Sequence, residues 1–176
     1  MNLAKKLHDS MIAAQETPFI FEDKHYTFGD IDIMILKTAS FMQDIGVKFG
    51  DRVAIQMPKL IEFVYFHLAN LTLGAITLPL NTEYSVQEVE YFLTDSESAF
   101  FVTYKDNYLR LKDMLDRLSI TVITVDKPME GTIFYQDEIV SYDPLRPDFV
   151  AKGGDVGMIG YTSGTTGRKR RHDNAR

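Results

Sequence analysis

Between Tyr161 and Arg171 stand six small residues, Thr162-Ser163-Gly164-Thr165-Thr166-Gly167, followed by the cations Arg168, Lys169 and Arg170. Four of the six carry hydroxyls. Glycine lets the backbone turn tightly, so that several N–H groups can face one concavity. Hydroxyls rotate to meet phosphate oxygens, and guanidinium or ammonium groups supply the opposing charge. The chemistry that suits this combination is the holding of a phosphate chain. A flexible polar loop has much the same composition. The apolar run Asp155–Tyr161 before it and the cations after it favour phosphate. No G-x-x-x-x-G-K-[ST] register fits around Gly160, Gly164 or Gly167, so the segment is not a Walker A loop.

Other groups that could do chemistry are better read as structure. There are no cysteines, which excludes disulfides, thiolate metal sites and a cysteine nucleophile, and points to a cytoplasmic chain. Any thioester sulfur must come from a cofactor or a partner. His8, His25, His67 and His172 share no metal-ligand spacing, so no metal site is expected in the protein itself. His67 lies in an apolar stretch and reads as a hydrogen-bonded core histidine. Glu88/Glu90 and Asp113/Asp116 read as solvated helix faces, and Asp51-Arg52 as a turn with an ion pair. Phe63, Tyr65 and Phe66 read as packing.

The 176 residues carry 19 Lys+Arg and 25 Asp+Glu, a formal charge of −6. Residues 168–176 hold five basic groups and one acid, a net +4 that leaves −10 for residues 1–167. A basic run without interleaved aromatics on so acidic a body does not make a nucleic-acid binder. The N-terminus has no signal-peptide core. The longest apolar stretch, Leu60 to Leu80, is broken by Glu62, His67, Asn70, Gly74 and Pro79, so no membrane span is expected. A homodimer is among the assemblies the sequence allows.

The elements that must position the loop follow from periodicity. An amphipathic helix carries Leu3, Ala4, Leu7, Met11 and Ile12. Two short strands follow, Pro18–Phe21 and His25–Phe28, around Glu22-Asp23-Lys24. Thr27, three residues before Asp30, marks a helix start, and the helix ends at Gly46. β-prone runs then begin at Val53, Ile76, Ala99 and Thr121, at spacings of 23, 23 and 22 residues. Helical patterns fill the gaps at Leu60–Leu73, Ser85–Asp95 and Asp106–Leu118. Ser85 and Glu88 form a capping box. Leu60–Leu73 is apolar nearly all round, so it should be buried on both sides. From Lys127 to Gly154, Pro and Gly break the rhythm, with a weak strand at Thr132–Tyr135 and a helical turn near Gln136–Ser141. The implied fold is α/β, a mostly parallel, helix-covered sheet built from repeated βα units.

With these elements placed, YTSGTTGRKR resembles the phosphate loop of AMP-forming acyl-adenylating enzymes, the superfamily of acyl-CoA synthetases, luciferases and peptide-synthetase adenylation domains. Its signature resembles T-S-G-T-T-G-x-P-K-G. HYTFGDID, FGDRVAIQMPKLIEFVYFHLANLTLGAITLPLN and YSVQEVEYFLTDSESAFFVT are similar to earlier stretches of the same family, in the same order. The resemblance runs from Tyr26 to Gly167. MNLAKKL and the general character are nearer a bacterial fatty-acid–CoA ligase than a peptide-synthetase domain.

The resemblance implies ATP, Mg²⁺ and coenzyme A as cofactors and a fatty or related carboxylic acid as substrate. It assigns Thr162–Gly167 to the β- and γ-phosphates. The family's next positions are x-Pro-Lys-Gly, and here Arg168-Lys169-Arg170-Arg171 stand instead. Read without a gap, Arg170 takes the lysine's place; read with the proline missing, Lys169 is the lysine. His172-Asp173-Asn174 resembles the H-x-N that opens the family's next helix, several residues early. A deletion, a frameshift or an appended tail would each produce this. The expectation is therefore an N-terminal portion of the adenylation domain over 1–167 and a basic tail over 168–176. The C-terminal domain and the catalytic residues are expected elsewhere, leaving this chain inactive alone. The alternatives are a non-catalytic remnant that binds a nucleotide or a partner, and a peptide-synthetase adenylation domain. Burial of Leu60–Leu73 within these residues would favour a self-standing domain.

Overall fold

In the computed structural model Asn2 caps α1 (Leu3–Ala13), its Oδ1 accepting from the Lys5 amide. The structure describes residues 2–145, 148–162 and 170–175, with Thr162 and 170–175 described by their backbone. A hairpin follows, β1 (Pro18–Phe21) antiparallel to β2 (Lys24–Thr27). It delivers Thr27 directly to the N-terminus of α2 (Phe28–Asp44). There Thr27 Oγ1 accepts from the Asp30 amide at 3.1 Å, while the Asp30 carboxylate accepts from the Thr27 amide at 2.8 Å. That donation from the Thr27 amide holds the Asp30 carboxyl below its ordinary range. Replacing Thr27 by alanine removes one side of this reciprocal cap and should lower stability by about 1 kcal/mol. Urea unfolding, with an unchanged slope, checks it.

Then come β3 (Arg52–Ile55), α3 (Ile61–Leu73), β4 (Ile76–Pro79), α4 (Val86–Asp95), β5 (Phe100–Thr103), α5 (Lys105–Leu118) and β6 (Thr121–Thr124). Next are β7 (Ile133–Phe134) with α6 (Tyr135–Glu138) and a 3₁₀ turn (Ile139–Ser141), then β8 (Val156–Thr162) and β9 (Arg170–Ala175). The larger sheet has the order β7-β6-β5-β3-β4-β8-β9, parallel throughout except for the antiparallel β8–β9 pair. From β3 the chain steps outward to β4, then crosses back over β3 to β5 and continues the other way. Right-handed crossovers with opposite steps put helices on opposite faces.

The two faces are visible in the core. Val53, Ile55, Val102 and Ile123 pack with Phe41, Met42 and Phe66 from α2 and α3. Their neighbours Ala54, Phe101 and Val122 pack with Phe92, Leu93, Leu111 and Leu115 from α4 and α5. Strands covered on both sides need apolar residues at every position, and all four residues of β5 are buried. The hydrophobic run of α3 has the same cause. It is covered by the sheet, α2 and α1, and none of its residues is exposed. The described residues thus bury this helix themselves, which is the condition set for a self-standing domain. Ser85 and Glu88 form the reciprocal cap of α4. Among the described residues, no helix is long and apolar enough to cross a membrane.

Candidate functional site

In a parallel sheet all strands point their carboxyl ends to one edge, and ligands of open α/β folds bind beyond that edge where the strand order reverses. Here the reversal lies between β3 and β5. β8, parallel to β4 through the Thr77–Met158 pair, brings Thr162 to the same edge. Thr162 stands opposite Arg170 in the β8–β9 register. The structure therefore brings Thr162, the first residue of the hydroxyl-rich segment, opposite the cation Arg170 that follows it in the sequence. Ser163, Gly164, Thr165, Thr166, Gly167 and Lys169 lie outside the described residues. His172, Asp173 and Asn174 lie in β9, paired with Gly160, Ile159 and Met158. They do not open a helix, because β8 would otherwise leave its free backbone groups at the sheet edge unpaired.

The end of β8 is anchored from the α4 side. Tyr161 packs its ring 4.5 Å from Phe92, and its hydroxyl donates to the Asp95 carboxylate. Tyr84 also packs against Phe92, at 5.0 Å. This fixes where the chain enters Thr162. Beneath the β4–β8 junction lies a polar group on α3. The Asn70 amide donates to Thr77 Oγ1 at 3.1 Å, and His67 Nδ1 lies 3.0 Å from the same oxygen. Thr77 Oγ1 accepts from Asn70 and shares one further proton with a neutral His67, on whichever of the two the imidazole tautomer sets. Burial holds the His67 imidazole below its ordinary 6.5. Its ring stacks on Phe63 at 6.0 Å. His67 is the hydrogen-bonded core histidine its surroundings in the sequence imply.

The sign of its pH effect follows. The unfolded chain takes up the proton near pH 6.5 and the folded chain only at lower pH, so the unfolded state is favoured as pH falls between them. Stability from the neutral imidazole is complete above about pH 6.5 and declines below it. His67→Gln should flatten that decline, read as the difference in urea midpoint between pH 8 and pH 5.

Other groups settle into structural roles. Asp51 accepts from the Lys48 amide in a turn at 2.8 Å. Arg52 pairs with Glu97, 3.0 Å away, rather than with Asp51. Its guanidinium also donates to the Ser96 and Glu97 carbonyls. The adjacent pair could not meet because successive side chains at a strand start point apart. Glu88 belongs to a cap and Glu90 pairs with Arg117. Among the described residues no cluster of three acidic or histidine side chains could hold a metal.

Three polar side chains at the carboxyl edge escaped the sequence reading: Gln56, Thr103 and Asn107, all buried. Asn107 donates to Gln56 Oε1 and to Thr103 Oγ1, each at 2.8 Å. The signal available was a lone amide, Gln56, closing the apolar run VAI. Its partner stands 51 residues on.

A doubly wound sheet with this strand order and Thr162 at its carboxyl edge defines a class, and the architecture is that of the N-terminal domain of adenylate-forming enzymes. The chain belongs to the AMP-binding enzyme family, whose profile matches residues 10–170. Among relatives, an oxalate–CoA ligase of Arabidopsis thaliana is 29% identical over 173 residues, covering 96% of this chain and 32% of that protein. A 4-coumarate–CoA ligase of Solanum tuberosum is 28% identical, covering 82% and 27%. Among solved structures, the anthranilate CoA ligase AuaEII in complex with anthranoyl-AMP superposes with a TM-score of 0.91 at 22% identity, covering 99% of this chain and 35% of that one. ATP-bound MatB from Rhodopseudomonas palustris gives 0.85 at 26% identity, covering 99% and 34%. The chain spans about a third of the length of the relatives it matches.

Proposed function

We propose that this chain is the phosphate-holding N-terminal portion of an ATP-dependent, AMP-forming carboxylic acid–CoA ligase of the cytoplasm, acting on a fatty or related acid. The observation that carries the reading is the hydroxyl-rich segment Thr162–Gly167 continuing from β8 at the carboxyl edge of the parallel sheet. In the reaction, a carboxylate oxygen of the acid bonds to the α-phosphorus of ATP as the bond to pyrophosphate breaks. The sulfur of coenzyme A then bonds to the acyl carbon, AMP departs, and the thiol proton passes to solvent. Negative charge develops on the leaving pyrophosphate. The residues Thr162, Ser163, Gly164, Thr165, Thr166 and Gly167 would meet it with amides and hydroxyls, and Lys169 and Arg170 with charge. Mg²⁺ bound with the nucleotide would share that charge.

MatB is an ATP-bound structure, and the relatives named above are ligases of oxalate and 4-coumarate. They support the reaction class and differ in the acid. In calorimetry, the chain should bind MgATP, and Lys169→Met together with Arg170→Met should weaken it about tenfold or more. Absence of binding overturns the phosphate reading. The purified 176 residues should show no ATP–pyrophosphate exchange with fatty, aromatic or dicarboxylic acids; detectable exchange overturns the inactivity of the chain on its own. A protein that also carries the acid-binding part should exchange most with fatty acids.

A second reading is a non-catalytic domain that binds a nucleotide. It is favoured by the cover these residues give α3, none of whose residues is exposed. Binding without exchange in any longer form of the protein would select it.

A further inference from the structure

The polar side chains at the carboxyl edge form one connected path. Gln56 follows β3 and is fully buried, and its Nε2 donates to the Asn81 carbonyl at 2.6 Å. Its Oε1 accepts from Asn107. The Asn107 Oδ1 in turn accepts from Arg110 Nε at 3.2 Å and Nη2 at 2.6 Å. Arg110 Nη1 donates to the Tyr84 carbonyl at 2.8 Å. The path thus ends at both extremes of one loop, Asn81–Tyr84, which leaves β4. Inside the loop the Glu83 amide donates to Asn81 Oδ1 and the Tyr84 amide to the Asn81 carbonyl.

Apolar side chains would fill the space beneath this loop at no desolvation cost, whereas the buried amides of Gln56 and Asn107 need their partners met, and the exposed Arg110 supplies two of the donors to Asn107. These groups reach past the core to backbone carbonyls of a surface loop, where an apolar side chain would leave the loop untethered. The loop departs from the strand next to β8, at the same edge as Thr162. Tyr84 is joined to Tyr161 through the ring of Phe92.

We propose that Gln56, Asn107 and Arg110 are positioning residues that clamp the loop Asn81–Tyr84 as a fixed wall on the strand beside Thr162, where the hydroxyl-rich segment begins. The inference rests on the reading of that segment under Proposed function. Clamping removes motion that a bound phosphate chain would otherwise have to arrest, so the clamp acts on affinity through order rather than through contact.

The test uses the full 176-residue chain, with inorganic pyrophosphate plus MgCl₂ as the probe and amide hydrogen exchange as the second measurement. Arg110→Met severs the Tyr84 carbonyl and is on an exposed helix position, so the fold should persist. We expect exchange at the Glu83 and Tyr84 amides to rise about tenfold and the pyrophosphate Kd to rise several-fold, to about tenfold. Arg110→Lys keeps a cation that can reach one carbonyl and should recover part of both. Lys112→Met removes the same charge from the same helix outside the path and should change neither. Gln56→Met combined with Asn107→Leu replaces both sides of a buried bond and should reproduce the Arg110→Met result. Unchanged exchange at Glu83 and Tyr84 in Arg110→Met overturns the clamp. Raised exchange with unchanged pyrophosphate affinity overturns the positioning role. If the unsubstituted chain binds no pyrophosphate, the phosphate reading falls, and the clamp is judged by exchange alone.

Discussion

Phe41→Ala should cost about 3–5 kcal/mol of unfolding free energy, the range for removing a fully buried aromatic side chain. Phe41 has no exposed surface. Its ring meets Tyr142 at 5.7 Å, Tyr135 at 5.8 Å and Phe66 at 6.5 Å, all edge-on. Three separate parts of the chain therefore converge on one side chain: α3, α6 and the segment after the 3₁₀ turn. Tyr135 adds a hydrogen bond between its hydroxyl and Thr38 on α2, one turn from Phe41. Burial raises the Tyr135 phenol well above its ordinary value, so this bond persists across the accessible pH range. A domain of this size has about 5–15 kcal/mol in hand, so the loss takes at least about a fifth of it and should lower Tm by about 6–20 °C. Phe41→Leu should cost less than half as much, because the smaller loss of volume leaves a smaller cavity. Leu109→Ala, at a half-exposed position of α5, should change stability by less than about 0.5 kcal/mol. Urea midpoints for the three variants decide the point; equal losses at Phe41 and Leu109 would contradict the core described above.

The same contrast explains what the amino-acid sequence made legible. The strand starts at Val53, Ile76, Ala99 and Thr121 and the caps at Thr27 and Ser85 are local features, set by propensity and by bonds across three residues. The caps and the starts at Ile76 and Thr121 stand where expected, and the strands read from Val53 and Ala99 begin one residue away, at Arg52 and Phe100. The all-round apolar character of α3 announced a helix covered on both sides for the same reason. Spacing alone says nothing of strand order, so the return of β5 across β3 was invisible. It decides which loops share the carboxyl edge. Long-range polar contacts were equally hidden. Arg52 finds Glu97 and the Ser96 carbonyl 45 and 44 residues away, and Ser40 donates to the Asp143 carbonyl, 103 away. Of the site itself, the hydroxyl-rich run was evident from residue type, whereas the loop Asn81–Tyr84 and its clamp have no local signature. β9 is the extreme case. Arg-Arg-His-Asp-Asn-Ala has little strand propensity, and pairing with the open edge of β8 outweighs it.

His8→Leu should destabilise the chain by about 1–3 kcal/mol, whereas replacing Asp32 as well should recover most of that loss. Asp32 on α2 is almost completely buried, and its carboxylate lies 2.8 Å from His8 Nδ1 on α1. Removing the histidine leaves a buried carboxylate without that partner, which is the costly half of such a pair. The fully buried range of 3–5 kcal/mol is reduced here because a quarter of the His8 side chain meets solvent. Leucine at both positions would sit among Ala4, Leu7, Met11, Ile35, Leu36 and Leu68, a lining that accepts it. The double variant should therefore lie nearer the parent than His8→Leu does, and a double-mutant cycle reads the difference directly. The same histidine packs 5.6 Å from Phe149, and Asn2 donates to the carbonyls of Phe149 and Ala151. Phe149 holds a left-handed φ of 45°, a conformation that a bulky residue keeps only under outside restraint. The first helix therefore secures the segment that leads into β8. In His8→Leu, cleavage by chymotrypsin after Phe149 should appear before any cut in α4 or α5, and the double variant should suppress it in proportion to the stability it recovers. If cleavage begins in α5 instead, the His8–Asp32 pair contributes to stability without holding the approach to the site.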